Sequence, residues 1–116
     1  MAYAFNEDKT KFKIGASKNL SSKTPVANHV IVNPTQIGNL VLVCVEVYGI
    51  SGATTYNVTA ANSGLPPMVS PNHGEYLYIP GHGSASNLLT FKPDGSFTIN
   101  AATDTHFSFM YPIELS

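Results

Sequence analysis

The sequence predicts an all-β fold: a single-domain, jelly-roll-like β-sandwich of about seven or eight antiparallel strands. Two observations predict it. Short runs of β-branched and aromatic residues, bounded by turn residues, recur along most of the 116-residue chain. In addition, Gly, Pro, Ser, Thr and Asn interrupt every window long enough for a helix, and no apolar stripe keeps the 3.6-residue helical period. We therefore expect strands and no helix.

The predicted strands follow one another through the body of the chain. An additional short strand is predicted near the N-terminus at Phe12–Ile14. The others are predicted at residues 28–33, 39–50, 54–60, 75–80, 88–92, 96–100 and 105–115.

The stretch 39–50 predicts both the core and an interface between subunits. Side chains alternate along a strand, so Val41, Val43, Val45 and Val47 share one face, whereas Leu40, Leu42, Cys44, Glu46 and Tyr48 share the other. A half-solvated strand should alternate apolar and polar residues, but this one is largely apolar on both faces. A second sheet covers one face, so we expect a neighbouring subunit to cover the other.

The last predicted strand adds to this expectation. Its aromatic face, formed by Phe107, Phe109 and Tyr111, should also be hidden from solvent. Pro112 cannot donate to a strand ladder, which predicts that the strand lies at a sheet edge or bends there. The two apolar surfaces together favour a closed oligomer.

The clearest turn is Lys92-Pro93-Asp94-Gly95. Pro93 has a fixed φ, Asp94 is a favoured turn residue, and Gly95 tolerates positive φ. Apolar residues alternate on both sides of the turn, so the sequence predicts a β-hairpin there.

Charge divides the chain into two parts. Charged residues make up only 11% of the chain, and all six basic residues are Lys, five of them before Pro25. We therefore predict a lysine-rich N-terminal arm at 1–24 and a sandwich domain at 25–116. The lysines are too sparse, and lack interleaved aromatic residues, to favour nucleic-acid binding.

Targeting and redox signals are weak. Cys44 has no second cysteine with which to form a disulfide or a zinc site, and its neighbours indicate a small buried residue.

The N-terminus lacks the apolar middle of a signal peptide, and no 18-residue apolar run is present. We expect a soluble protein made in the cytoplasm, with no membrane partner.

One segment offers metal ligands. His73 and Glu75 are two residues apart, and His82 lies beyond the next turn; imidazole and carboxylate together suit zinc, iron or manganese. The segment resembles a cupin metal site but lacks the paired His-x-His, and its flanking Gly and Pro residues fit an ordinary turn equally well. A small metal-dependent jelly-roll enzyme is thus one alternative, but we expect no cofactor.

Tyrosines offer a second kind of site. Tyrosine provides flat, partly polar surfaces that suit sugars and subunit contacts. With the Asn-, Ser-, Gly- and Pro-rich loop 61–74, the candidate ligand-binding residues are Tyr56, Tyr76, Tyr78 and Asn72. A free-standing carbohydrate-binding module is therefore another alternative. No nucleophile elbow or phosphate-binding glycine loop is present, so no catalytic residue is predicted.

Two segments resemble a known group of proteins. The opening Met-Ala-Tyr-Ala-Phe-Asn-Glu-Asp-Lys-Thr-Lys-Phe resembles short tail-associated proteins of phages and prophages of Gram-positive bacteria. The segment 88–99 is similar to the penultimate hairpin of trimeric tail-fibre and receptor-binding head domains. The resemblance implies a homotrimeric β-sandwich head in a virion that attaches to a host-surface glycan or protein, or to another virion protein. We expect a non-enzymatic structural or attachment module.

Overall fold

Nine strands and one short helix make up the computed structural model, which describes residues 12–14, 17–20, 29–50, 52–69 and 76–114. The all-β prediction is confirmed. The predicted absence of helices is wrong, because the chain forms one four-residue helix, α1. The elements are β1 (Phe12–Ile14), β2 (Lys18–Asn19), β3 (His29–Ile37), β4 (Leu40–Tyr48), β5 (Thr54–Val58), α1 (Ala60–Ser63), β6 (Leu77–Pro80), β7 (Leu88–Phe91), β8 (Phe97–Ala101) and β9 (Thr105–Pro112). No helix among the described residues has the length and apolar character needed to cross a membrane.

The strands form two antiparallel sheets. In the first sheet β3 pairs with β1 and β2 on one side and with β4 on the other, and β4 then pairs with β9. The second sheet has the order β5-β8-β7-β6. The strand β9 lies at the end of the first sheet, as Pro112 predicts. Because β1 and β2 pair with β3, parts of the predicted arm 1–24 belong to the first sheet.

The hairpin between β3 and β4 is longer than the sequence predicts. β3 continues through Pro34 to Ile37, although the prediction ends at Asn33. Pro34 is tolerated because it has no partner strand on this side of β3: the pairing with β1 ends at Thr35, and the pairing with β2 ends at Val32. The turn is made by Gly38, whose φ of 61° provides the positive first position of a two-residue hairpin turn.

A single core fills the space between the two sheets. The inner valines of β4 are completely buried and face aromatic and aliphatic residues from the second sheet. The Phe91 ring of β7 lies 4.9 Å from the ring of Phe109 and 4.5 Å from that of Tyr111, both on β9. The aromatic face of β9 is therefore covered within the chain, because the second sheet packs on it. It does not support the predicted self-association.

Candidate functional site

The four tyrosine and asparagine candidates do not form one site. Tyr56 faces inward from β5, opposite Ile99 of β8, and is only 7% exposed. It is therefore not a surface ligand-binding residue, and this prediction is wrong. Tyr78 projects outward from β6 and is 66% exposed, and Tyr76, two residues earlier, is also exposed. Asn72 lies outside the described residues.

Burial changes the chemistry of Tyr56. Its hydroxyl has no hydrogen-bond partner in the structure as described. Burial, reinforced by the negative charge of Asp104, raises the pKa of Tyr56 to about 12. The interior position explains both observations: the neutral phenol fills the core between the sheets, and its ionisation there is unfavourable.

We expect Tyr56→Phe to leave stability at neutral pH unchanged or slightly higher, because it removes an unpartnered buried hydroxyl. At high pH the variant should be clearly the more stable protein. The pKa of Tyr56 is raised on folding, so the unfolded chain loses this proton first, and the stability of the parent falls as the pH rises from 10.0 toward about 12. Urea unfolding at neutral pH and at about pH 11 measures the difference. Tyr78→Phe, at an exposed tyrosine, is the control; equal pH dependence in parent and Tyr56→Phe would contradict the prediction.

Outward-facing residues of the second sheet form a surface that we call the outer polar face. Its two rows cross all four strands, each residue lying opposite the next in the strand register. The first row is Asn57, Thr98, Thr90 and Tyr78; the second is Thr55, Asn100, Leu88 and Pro80. None of these eight side chains is charged.

Hydrogen bonds fix two amides on this face. The hydroxyl of Thr98 donates to Asn57 Oδ1 at 2.6 Å, and the hydroxyl of Thr55 donates to Asn100 Oδ1 at 2.5 Å. In both cases the amide oxygen accepts the hydrogen bond. The two N–H donors of each Nδ2 group therefore have no partner among the described residues. The outer polar face thus presents oriented amide donors at the β5–β8 end and Tyr78 at the β6 end.

The sequence contains only part of the signal for this face. Alternation in β5 puts Tyr56 with Val58 on the apolar side and leaves Thr55 and Asn57 on the polar side, so the inward position of Tyr56 could have been predicted. The sequence does not predict which residue of β8 lies opposite Asn57. The register between two strands about 40 residues apart is set by tertiary packing.

The metal candidate is only partly described. His82 is exposed in the loop after β6, and His73 and Glu75 lie outside the described residues. The His82 ring stacks on that of His106 with a centroid distance of 5.3 Å. The loop is held by Asn87, whose Nδ2 donates to the His82 carbonyl at 2.8 Å, and by Thr105, whose hydroxyl donates to the same carbonyl at 2.6 Å. Among the described residues, no group of three or more His, Cys, Asp or Glu side chains is placed to hold a metal ion.

A second surface lies on the outside of the first sheet. Apolar side chains from β3, β4 and β9 meet there in register, and we call this set the outer apolar patch. Ile37 and Met110 are 45% and 47% exposed, and Leu40 and Leu42 are half-buried between them. The patch consists of Ile37, Leu40, Leu42, Met110 and Pro112.

Fold and surfaces together define an antiparallel β-sandwich with an apolar patch on the outside of one sheet and an uncharged, mostly polar face on the outside of the other. Comparisons with protein-family models, with curated proteins and with solved structures found no match. No relative therefore contributes a function to this chain.

Proposed function

We propose that this chain is a non-enzymatic attachment module of a phage or prophage that assembles as a homotrimer. The outer apolar patch is the observation that carries the proposal. Two of its side chains, Ile37 and Met110, expose nearly half of their surface. Contiguous apolar surface of this kind is typical of protein contacts.

The chemistry of the patch favours a second copy of the chain as its partner. None of its residues is charged, so two or three patches can meet without burying an unpaired charge. On β4 the outward carboxylate is Glu46, four residues beyond Leu42 and roughly 13 Å along the strand. Glu114, two residues after Pro112, is exposed at the rim of the patch. Closed symmetry would cover the patch without open-ended growth.

The choice of three subunits, and of a virion as location, rests on the resemblance of the opening residues and of the segment 88–99 to phage tail proteins. Twofold assemblies are otherwise commoner. Peptide mass spectrometry of purified virions, or tail and lysis genes beside the coding gene, would support this part of the proposal. Metabolic genes beside it would contradict it.

We expect size exclusion with light scattering to give a mass three times that of the 12.4 kDa chain at micromolar concentration. Met110→Lys should lower this mass to that of a monomer, because each copy would bring a positive charge into the contact. Met110 is exposed in the single chain, so the substitution should not prevent folding.

Ser86→Lys is the matched control. It adds the same charge in the exposed turn between β6 and β7, outside the outer apolar patch, and should leave the mass unchanged. A monomeric parent would contradict the self-association proposal. A dimer would contradict the likeness to trimeric phage heads, and an unchanged mass for Met110→Lys would show that the interface lies elsewhere.

A further inference from the structure

We infer that the outer polar face of the second sheet binds a neutral glycan. This inference rests on the proposed function as an attachment module and assigns its ligand class and its site. The surface lies on the opposite side of the sandwich from the outer apolar patch, so binding and assembly would use different sheets.

The two ends of the outer polar face match the two kinds of surface on a sugar. A pyranose ring has an apolar face of C–H groups and a rim of hydroxyls. At the β6 end, Tyr78 and Pro80 are exposed and Leu88 lies beside Pro80 in register, which provides a flat apolar area for a ring. At the β5–β8 end, hydroxyls and amides can exchange hydrogen bonds with the rim.

The polar groups are arranged before any ligand arrives. Thr98 and Thr55 hold the oxygens of Asn57 and Asn100, so the amide donors have a fixed direction. Fixing a group in its bound position lowers the entropy lost on binding. Each sugar hydroxyl can both donate and accept a hydrogen bond. The amide N–H groups can donate to it, and the nearby threonine hydroxyl oxygens can accept from it.

Charge favours a neutral ligand over an acidic one. The eight outward positions carry no charge, and the nearest lysine on this sheet, Lys92, lies in the β7–β8 turn with Asp94 two residues away. A polyanion such as a nucleic acid is bound mainly through cationic side chains, which this face lacks.

The size of the face suits a short oligosaccharide. Four strands spaced by about 4.8 Å make each row about 14 Å long, and the two rows are about 7 Å apart. An elongated glycan can therefore lie across the strands, with rings over Tyr78 and hydroxyls over Asn57. If the chain is trimeric, three such faces on one particle would raise the apparent affinity for a polymeric glycan.

Retention of the full chain on immobilised polysaccharides tests the inference. The probes are a mannan, a galactan and a β-glucan as neutral polymers, with heparin as a polyanion. We expect retention on at least one neutral polymer that persists at about 0.5 M salt, because no ion pairs are involved. Tyr78→Ala should weaken binding about tenfold or more, and the double variant Asn57→Ala/Asn100→Ala should also weaken it.

Tyr48→Ala is the matched control, since it removes an exposed tyrosine from the outer side of the first sheet and should leave retention unchanged. Thermal unfolding of each variant separates lost binding from lost folding. Retention on no neutral polymer, equal binding by Tyr78→Ala, or salt-sensitive retention on heparin alone would each overturn the inference. Light scattering on the same samples separates the two proposals: a trimer that is not retained overturns only the glycan site, and a retained monomer overturns only the assembly.

Discussion

Val43→Asp should abolish soluble folded protein. Val43 is fully buried in β4, opposite Pro34 on one side and Phe109 on the other. A carboxylate at this position would face the apolar interior without a charged partner, at a cost of several kcal/mol, roughly the whole stability of a domain this small. The soluble fraction of expressed protein and its circular dichroism spectrum measure the outcome.

Ser108→Asp is the control for this substitution. Ser108 is exposed on β9 and precedes Phe109, the residue opposite Val43. An aspartate at this position therefore lies close to Val43 in the sheet but on its outer side. It should fold with nearly parental stability, since exposed substitutions usually change the free energy of unfolding by less than about 0.5 kcal/mol. If Val43→Asp melted at the parental temperature, the inner valines would not be the core.

Strand positions were predictable where the apolar alternation is strong. The predicted strand 39–50 corresponds to β4 (Leu40–Tyr48), because four valines at every second position leave only one phase for the inner face. The end of β3 was not predicted, because Pro34 is normally a sign that a strand has ended. The gap between β1 and β2 that accommodates it is a feature of the tertiary structure.

The short helix α1 is not predictable from the apolar pattern. Thr59 caps α1 by accepting a hydrogen bond from the Asn62 N–H, and Gly64 ends it with a φ of 67°. Both signals are present in the sequence, but a helix of four residues has no apolar period by which to recognise it.

Self-association was predicted partly for a wrong reason. The sequence shows that two faces are apolar, but it does not show which of them another part of the same chain covers. The aromatic face of β9 packs against Phe91 of the second sheet. The outward face of β4 is the one that stays partly exposed, at Leu40 and Leu42. Only the packing of the two sheets within the chain shows which apolar face is covered and which is exposed.

The turn between β7 and β8 carries the other large expected effect. Gly95→Val should destabilise the fold by more than ~2 kcal/mol. Two causes act together. Gly95 has a φ of 92°, a conformation that is strained for valine, and a Cβ there would lie 2.6 Å from the carbonyl oxygen of Leu65. That oxygen belongs to the backbone of a residue buried in the core, so it cannot move aside as a flexible side chain would. A thermal melt should show a fall of roughly 4–8 °C for each kcal/mol lost.

Gly95→Ala and Gly52→Ala form the matched pair that tests these two causes together, and Gly95→Ala should melt at the lower temperature. Alanine adds only the Cβ, so at Gly95 it retains both the strain in φ and the close approach to Leu65. Gly52 is exposed, has a φ outside the left-handed region and has no atom within 4 Å of an added Cβ, so Gly52→Ala should melt within about 0.5 kcal/mol of the parent. Met68 N–H donates to the Pro93 carbonyl at 2.8 Å, so the turn is hydrogen-bonded to the segment after α1. A shift of the turn at Gly95 would strain this hydrogen bond as well. Equal melting temperatures for the two alanine variants would contradict both the strain in φ and the close approach at Gly95.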